Sequence, residues 1–298
     1  MPSYRTPRVL LTGASGFLGR AVALDLSRDH TVISLGRTQG PEAYISNIQA
    51  DLSRRLDLDL LPSSIDAVVH LAQSRLQRDG IADGADLEAI NVRATDRLLR
   101  FAVRAGAKVF VYASSGNVYG PKNTPASEDD AVAATSDPYT TSKIHGERLV
   151  SEYEGLIAAT SLRLYALYGP WQKERMIARI ISNIANGKSI LIQGTGSGLV
   201  TQPTYIDDAS FVVRTALQES WTGVINVAGP DRAGIKEIAE LAADRLQRRA
   251  IFEVMPGSSA AIQLPSLERL QKRMPSHRFV PLVDGIARTV DNFRCGSA

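Results

Sequence analysis

A tyrosine, a lysine and a serine have the types and the spacing that proton transfer requires. Tyr139 and Lys143 are four positions apart in a segment whose pattern predicts a helix, so they share one face of it. A phenol titrates at about pH 10 in water, and an ammonium group beside it favours the phenolate. Ser115 follows an apolar run that predicts a strand. Each feature alone is common, as a helix face or a strand cap, so none of them assigns a reaction by itself.

A glycine-rich turn follows the first predicted strand and precedes the first predicted helix. Thr12-Gly-Ala-Ser-Gly-Phe-Leu-Gly19 places glycines at 13, 16 and 19. The first glycine suits a tight turn, the second lets a pyrophosphate approach, and the third lets the helix pack closely on the strand. The helix N-terminus offers free N–H groups to an anion. This context predicts a dinucleotide site rather than a purely structural turn.

The end of the second predicted strand favours NADP(H). The segment reads Leu35-Gly36-Arg37-Thr38, whereas a site for NAD usually has an acidic residue there that holds the ribose 2′-hydroxyl. Gly36 has no carboxylate, and the guanidinium of Arg37 suits a 2′-phosphate. If Arg37 is only an exposed loop residue, NAD(H) remains possible.

The first half of the chain alternates short β-branched runs with segments of helical period, which indicates βαβ units. The predicted strands are Arg8–Thr12, Thr31–Leu35, Asp66–Ala72, Lys108–Ser114 and Thr160–Tyr165, and the predicted helices are Phe17–Leu26, Leu87–Ala105 and Tyr139–Glu154. We therefore expect an α/β fold, a Rossmann-type doubly wound parallel sheet covered by helices on both faces.

The pattern becomes less regular beyond Gly169-Pro170. It predicts helices over Met176–Asn186 and Ile235–Arg249, strands at Ile190–Gln193 and Val224–Ala228, and a loop at Gly194–Gly198. We expect a dinucleotide-binding domain over 1–168, to which part of 200–230 returns, and a smaller mixed α/β C-terminal substrate lobe over 169–298.

Composition excludes several classes of protein. The 298 residues are 44% hydrophobic and 22% charged, which is ordinary for a globular chain and excludes disorder and coiled coils. A net charge of +3 over this length gives a weak field, so no nucleic-acid partner is expected, and no apolar stretch approaches a membrane span. Cys295 is the single cysteine, and no His-Glu-x-x-His is present, so we expect no disulfide, no metal and a cytoplasmic location.

The ordered motifs resemble the extended short-chain dehydrogenase/reductase family of NAD(P)-dependent sugar-nucleotide epimerases, dehydratases and reductases. The resemblance covers nearly the whole chain. The matching segments are Thr12–Gly19, Ala50–Leu52, His70–Ala72, Asn91, Ser114–Gly120, Tyr139–Lys143, Arg163, Tyr168–Pro170 and Tyr205–Asp208.

The resemblance implies a role for each matching residue. It makes Tyr139 the acid/base, Lys143 its partner and the anchor of the nicotinamide ribose, and Ser115 the hydroxyl that positions substrate. It also implies a homodimer through the helices comparable to Leu87–Ala105 and Tyr139–Glu154. Together with the glycine motif and the end of the second predicted strand, it gives these cofactor-binding residues: Gly13, Ser15, Gly16, Phe17, Leu18, Gly19, Arg37, Asp51 at the adenine, Leu52, Leu71, Ala72, Tyr139 and Lys143.

His70 is a possible alternative base. It ends an apolar strand beside the expected path of the cofactor. That position favours a packed, hydrogen-bonded histidine over one that transfers protons.

Departures from the family pattern bear on the substrate. Gly116-Asn117 follow Ser115 where dehydratases usually carry Asp-Glu, which disfavours dehydration. Ala166 and Thr201-Gln202 stand where UDP-hexose epimerases have residues that hold the sugar diphosphate. We expect other residues to bind a nucleotide sugar or related carbonyl compound: Asn117, Tyr165, Arg175 and Arg214, with Arg179 as a further candidate. For each arginine a surface role is the simpler alternative.

Three functions remain open from the sequence. A net reductase must exchange its cofactor, so the preference for NADP(H) favours reduction of a keto-sugar nucleotide. An epimerase that recycles a bound cofactor is the main alternative. A dinucleotide sensor is the third, but it has no need of Ser115, Tyr139 and Lys143.

Overall fold

The chain divides into two compact units in a computed structural model that describes residues 5–38, 46–54, 56–74, 84–194, 196–255 and 262–296. The first unit comprises Met1–Val118, Val132–Arg163 and Ser210–Ile225. The second comprises Tyr119–Ala131, Leu164–Ala209 and Asn226–Ala298.

The strands and helices have the following bounds. The strands are β1 Arg8–Thr12, β2 Thr31–Gly36, β3 Ser46–Gln49, β4 Ala67–His70, β5 Val109–Ser115, β6 Ala158–Leu164, β7 Leu167–Tyr168, β8 Ile190–Gln193, β9 Val200–Thr201, β10 Thr204–Tyr205, β11 Gly223–Val227, β12 Ala233–Gly234, β13 Phe252–Met255 and β14 Ile262–Gln263. The helices are α1 Phe17–Leu26, α2 Gly84–Leu87, α3 Ala94–Arg104, α4 Pro138–Glu152, α5 Met176–Ala185, α6 Ile206–Gln218, α7 Ile235–Leu246, α8 Glu268–Arg273 and α9 Leu282–Gly296.

A seven-stranded parallel sheet forms the centre of the first unit, which confirms the predicted doubly wound fold. The strand order is β11-β6-β5-β4-β1-β2-β3. The order reverses beside β1, which pairs with β2 on one side and β4 on the other. Because ligands of such sheets bind where the strand order reverses, at the carboxyl ends of the strands, the turns after β1 and β4 mark the expected site.

Near-continuous apolar runs form the inner strands because helices cover both faces of the sheet. Leu10, Val68 and Phe110, from β1, β4 and β5, are completely buried. Leu98 and Phe101 of α3 pack in the same core cluster. The core thus fixes the strand ends that carry the candidate site.

The predicted helix over Leu87–Ala105 is interrupted. A π-helical segment, Glu88–Arg93, lies between α2 and α3 and carries the buried Asn91. One extra residue per turn shifts the face on which later side chains lie, and such segments are frequent at functional sites. Asn91 is thereby directed towards α4, where its side chain meets Ser142.

The start of α4 follows from its sequence. Asp137 is the N-cap, and its carboxylate accepts a 2.8 Å hydrogen bond from the backbone N–H of Thr140. Pro138 occupies the first turn, where its missing N–H costs nothing. Tyr139 therefore lies in the first turn of α4 and Lys143 one turn further.

The second unit contains short strands and several helices. Its strands pair as β7 with β10, β8 with β13, and β9 with both β12 and β14. The predicted loop at Gly194–Gly198 includes Thr195, which lies outside the described residues. Within the described part of the chain, none of the helices has the length and apolar character needed to cross a membrane.

Candidate dinucleotide and proton-transfer site

The glycine-rich turn has a backbone that only glycine permits at two positions. Gly13 has φ +75°, and a Cβ there would lie 2.8 Å from the backbone nitrogen of Ala72. A Cβ on Gly19 would lie 1.9 Å from the carbonyl oxygen of Gly13. The turn is closed by a 2.8 Å hydrogen bond from the N–H of Gly16 to that same carbonyl oxygen. The turn after β1 is therefore packed directly against the segment after β4.

The N-terminus of α1 fits the pyrophosphate of a dinucleotide. Its N-cap is Gly16, no side chain caps it, and its first turn has no acidic residue. The first N–H groups of this ten-residue helix thus point out of its end with a favourable dipole. Of the other predicted contacts, Ser15 is exposed, Phe17 is half-buried and Leu18 is buried.

The residues predicted to select the cofactor lie at the carboxyl ends of β2 and β3. Arg37 is exposed, and Gly36 has open space around the position of a Cβ. Asp51 accepts hydrogen bonds from the backbone N–H and the hydroxyl of Ser53, at 3.0 and 2.7 Å. The Ser53 hydroxyl is the main cause that lowers the pKa of Asp51, and the positive charges of Arg37 and Arg54 add to it.

Asp51 therefore keeps its negative charge and fixes the turn after β3. Leu52 is buried in the hydrophobic core. The predicted contact of Asp51 with adenine stays a prediction.

Lys143 connects α4 to β5. Its buried Nζ donates a 2.7 Å hydrogen bond to the carbonyl oxygen of Ala113. The same Nζ lies 5.0 Å from the ring centroid of Tyr112 and 5.9 Å from that of Tyr139. Burial lowers the pKa of Lys143 to about 8, against the opposing charge of Glu147. An ammonium with a lowered pKa thus lies next to the phenol predicted to act as acid/base.

Tyr139 and Ser115 lie on the two elements, α4 and β5, that the hydrogen bond between Lys143 and Ala113 joins. Tyr139 is half-buried at the start of α4, and Ser115 is buried at the end of β5, two residues after Ala113. The hydroxyl oxygen of Ser115 accepts a 3.2 Å hydrogen bond from the backbone N–H of Asn117. The structure thus joins the three predicted catalytic residues through β5, α4 and the amine of Lys143.

A buried charged cluster behind Lys143 was not among the predicted site residues. Glu147 accepts hydrogen bonds from Nε and Nη2 of Arg163, at 2.9 and 2.7 Å, and from the hydroxyl of Ser114, at 2.5 Å. All three side chains are buried. The sequence contains a signal for it, since Glu147 is four residues after Lys143 on the same helix face.

His70 is the packed, hydrogen-bonded histidine that its strand position indicates. It is completely buried, with Nδ1 2.6 Å from the hydroxyl of Thr12 and Nε2 3.0 Å from that of Thr95. Burial, with a smaller effect of the Lys143 charge, lowers the pKa of His70 to about 3. Its imidazole is therefore neutral at physiological pH.

The predicted substrate residues are not brought together as Ser115, Tyr139 and Lys143 are. Asn117 is exposed next to Ser115. Arg214 lies on α6, and its guanidinium forms ion pairs with Asp25 and Asp29 at the C-terminal end of α1. That end is the opposite one from the glycine-rich turn, so the structure does not place Arg214 at the candidate site.

Two further predicted substrate residues, Tyr165 and Arg175, and the additional candidate Arg179 belong to the second unit. Tyr165 is buried, and its backbone N–H donates a 3.1 Å hydrogen bond to the carbonyl oxygen of Val227. Arg175 is the half-exposed N-cap residue of α5, and Arg179, one turn later, is exposed. Their roles in binding substrate stay predictions.

The sequence matches a family model over residues 9–228, described as the NAD dependent epimerase/dehydratase family. The chain belongs to this family. It is 28% identical to the uncharacterized UDP-glucose epimerase YtcB of Bacillus subtilis, over 82% of this chain and 83% of that protein. It is 29% identical to the GDP-6-deoxy-D-mannose reductase of Pseudomonas aeruginosa, over 81% of each chain.

A solved structure of MoeE5 in complex with UDP-glucose and NAD has the same fold. The TM-score is 0.86 at 25% identity, and the match covers 98% of this chain and 100% of MoeE5. Family and fold make the chain an enzyme of the extended short-chain dehydrogenase/reductase type that uses a nicotinamide dinucleotide. Among the residues that the structure describes, no group of three or more His, Cys, Asp and Glu side chains is placed to hold a metal ion.

Proposed function

We propose that this enzyme is an NAD(P)(H)-dependent oxidoreductase that reduces the carbonyl group of a keto-sugar nucleotide, with Tyr139 as acid/base. The observation that carries the proposal is the position of Lys143. Its amine is buried between the Tyr139 ring and the end of β5, so one group can stabilise a phenolate and hold the strand that bears Ser115. A helix N-terminus free for a pyrophosphate lies at the end of β1 in the same unit.

The chemistry of these residues follows from their acidities. Tyr139 donates its phenolic proton to the carbonyl oxygen of the sugar, and the positive charge of Lys143 stabilises the phenolate that remains. The hydroxyl of Ser115 donates a hydrogen bond to the same oxygen and orients it. The bound nicotinamide cofactor supplies the hydride to the carbonyl carbon, or accepts it in the reverse direction. A solvent proton then restores the phenol.

The cofactor proposed for this reaction is NADP(H). The support is the pair Gly36 and Arg37, which offers a 2′-phosphate a guanidinium and no opposing carboxylate. The solved neighbour MoeE5 holds NAD, so NAD(H) is the alternative cofactor. Assembly as a homodimer through α3 and α4 is proposed from the family resemblance alone.

Epimerisation of a nucleotide sugar is the second candidate, favoured by the likeness to YtcB and to MoeE5 with UDP-glucose. Here Tyr139 first removes the proton of a sugar hydroxyl. The carbon-bound hydrogen passes as a hydride to a bound oxidised nicotinamide and returns to the opposite face of the keto sugar, while Tyr139 returns the proton. The same side chains therefore act twice and no cofactor is consumed.

The deciding experiment offers UDP-, GDP- and dTDP-linked sugars and keto-sugars to the purified enzyme with each cofactor deuterated at the transferred position. Reduction oxidises one reduced cofactor per product and transfers deuterium to carbon. Epimerisation gives an isomer with no net change in the absorbance of the reduced nicotinamide. Dinucleotide binding without turnover of any substrate contradicts both functions and supports a sensor.

A further inference from the structure

A line of buried hydrogen bonds begins at the glycine-rich turn and passes through His70. The backbone N–H of Ala72 donates to the hydroxyl oxygen of Thr12 at 3.1 Å, and that hydroxyl lies 2.6 Å from Nδ1 of His70. On the other side of the ring, Nε2 lies 3.0 Å from the hydroxyl of Thr95, which donates to the carbonyl oxygen of Asn91 at 2.8 Å. Thr12, His70, Thr95 and Asn91 are all completely buried.

Counting hydrogens assigns one tautomer to the ring. The Thr95 hydroxyl has a single hydrogen, which the Asn91 carbonyl receives, so Thr95 accepts the hydrogen of His70 Nε2. Nδ1 is then the acceptor of the Thr12 hydroxyl hydrogen. In the opposite tautomer, one Thr95 hydrogen would have to serve both the Asn91 carbonyl and Nε2, and Thr12 would no longer donate to the ring.

The line continues from Asn91 to the helix of the proposed acid/base. The side-chain nitrogen Nδ2 of Asn91 donates to the hydroxyl oxygen of Ser142 at 2.9 Å. That hydroxyl donates to the carbonyl oxygen of Tyr139 at 2.7 Å. Ser142 is buried as well. The π-helical segment is what directs Asn91 to α4, so the line joins the turn after β1 to the first turn of α4.

We propose that His70 is a positioning residue: a neutral imidazole with its hydrogen on Nε2 that links the glycine-rich turn, through Thr95, Asn91 and Ser142, to the backbone of Tyr139. The proposal rests on the function proposed above for Tyr139. Every donor in the line has one acceptor, and a buried polar group that loses its partner is costly. A displacement at either end is therefore transmitted to the other, and the dinucleotide turn and the acid/base keep a fixed separation.

The first test observes the ring directly. The chain has four histidines, so ¹⁵N-histidine labelling of the intact enzyme gives a spectrum that can be assigned with His70→Gln. We expect one ring with its hydrogen on Nε2 that does not titrate between about pH 5 and 8. A His70 signal with the hydrogen on Nδ1, or a protonated ring in this range, overturns the proposal.

The second test breaks the line at two buried hydroxyls that belong neither to the glycine-rich turn nor to the three proposed catalytic residues. Thr95→Val deletes the hydroxyl that accepts the hydrogen of His70 Nε2. Ser142→Ala deletes the hydroxyl that donates to the carbonyl oxygen of Tyr139. We expect each to lower kcat by about tenfold to a hundredfold, because small displacements of reacting groups have effects of this size. We also expect each variant to raise the dissociation constant of the dinucleotide by about threefold to tenfold, a smaller effect than the one on kcat.

A matched control separates linkage from simple loss of stability. Thr160 is completely buried in the same unit, and its hydroxyl donates a 2.9 Å hydrogen bond to the carbonyl oxygen of Gly223, away from the line. Thr160→Val should lower the thermal midpoint as much as Thr95→Val does, with kcat and the dissociation constant within about twofold of wild type.

Additivity gives the decisive comparison. Thr95→Val and Ser142→Ala interrupt one line, so the double variant should lose little more kcat than the worse single one, whereas Thr160→Val should add independently. Full additivity of the first pair, or equal effects of Thr95→Val and Thr160→Val on kcat and on the dissociation constant of the dinucleotide, overturns the link. If wild type turns over no nucleotide sugar, the proposed function fails, while the spectrum and the dinucleotide affinities still decide on the link.

Discussion

The amine of Lys143 donates a 2.7 Å hydrogen bond to the carbonyl oxygen of Ala113, from α4 across to β5. A lysine that held only a cofactor or a substrate would have no need of this strand. Because Ser115 is two residues beyond Ala113, the bond sets the distance between the helix that carries Tyr139 and the strand end that carries Ser115. The buried amine of Lys143 thus lies beside the Tyr139 ring and also holds the strand end that carries Ser115.

Replacement of the phenolic hydroxyl tests the acid/base directly. Tyr139→Phe keeps the ring and should lower kcat by about 10² to 10⁴-fold, because proton transfer by a positioned group contributes that much. Dinucleotide affinity, measured by fluorescence or calorimetry, should stay within about threefold of wild type. Tyr153→Phe, at the C-terminal end of the same helix, is the matched control and should keep full kcat. Turnover by Tyr139→Phe at the wild-type rate rejects the assignment.

The buried charge of Lys143 is expected to lower the free energy of unfolding. Burial lowers its pKa from 10.5 to about 8, so below pH 8 the folded state holds a charged amine that water would hold more favourably. The difference between the two pKa values corresponds to a loss of about 3 kcal/mol in the free energy of unfolding at neutral pH. The unfolded chain binds more protons than the folded chain between pH 8 and 10.5, so stability contributed at this site rises with pH over that range.

Lys143→Met should therefore unfold at a higher urea concentration than wild type at neutral pH, although it loses the bond to Ala113. Its advantage should shrink as the pH rises through the range from 8 to 10.5. Urea unfolding at neutral pH and at about pH 10 measures this difference. Lys188→Met, at an exposed lysine, should differ from wild type by the same small amount at both values. A Lys143→Met variant less stable than wild type at neutral pH contradicts this interpretation.

The sequence predicted the elements that local pattern defines. The inner strands are continuous apolar runs, and α1 was predicted with the bounds it has, since periodicity and the glycine motif agree there. β3 was missed because its sequence, Ser-Asn-Ile-Gln, is polar, as suits an edge strand that pairs with β2 alone. α6 was also missed, although the motif at its start was recognised.

The parts of the site that depend on distant partners could not be predicted. Helical periodicity gives no sign of the π-helical segment that carries Asn91, because the apolar spacing over Leu87–Ala105 predicts one continuous helix. Arg214 was predicted to bind substrate from its charge, whereas its ion pairs with Asp25 and Asp29 join residues far apart in the sequence. The contact of Lys143 with Ala113 depends on how α4 packs against β5.

The choice of dinucleotide can be tested at Gly36. A Cβ at this position meets nothing within 4 Å, so Gly36→Asp should fold and place a carboxylate at the end of β2. Charged hydrogen bonds to a ribose hydroxyl contribute about 1.5 to 3 kcal/mol, so the ratio of kcat/KM for NADPH to that for NADH should fall by about tenfold to a hundredfold.

Arg37→Ala should also lower the ratio of kcat/KM for NADPH to that for NADH, because it weakens the binding of NADPH and leaves the binding of NADH unchanged. Arg54→Ala is the matched control, because Arg54 is exposed and also contributes to the lowered pKa of Asp51. It should leave the ratio unchanged. If Gly36→Asp and Arg37→Ala both keep the wild-type ratio, the end of β2 does not select the cofactor.

The ion pair of Glu147 with Arg163 should matter more for function than for stability. Arg163→Met leaves a buried carboxylate without its main partner and should cost about 3 to 5 kcal/mol of unfolding free energy. Glu147→Leu combined with Arg163→Met removes both charges and should recover most of that loss. Activity should not recover with it, because the charge of Glu147 raises the pKa of Lys143, which burial alone would hold lower still. On the alkaline side of the pH profile, the kcat of the double variant should therefore fall at a lower pH than the kcat of wild type.

Arg245→Met, in the exposed pair with Asp291, is the control and should change neither the unfolding midpoint nor the pH profile of kcat. A double variant with wild-type stability and a wild-type pH profile would show that the cluster acts on packing alone.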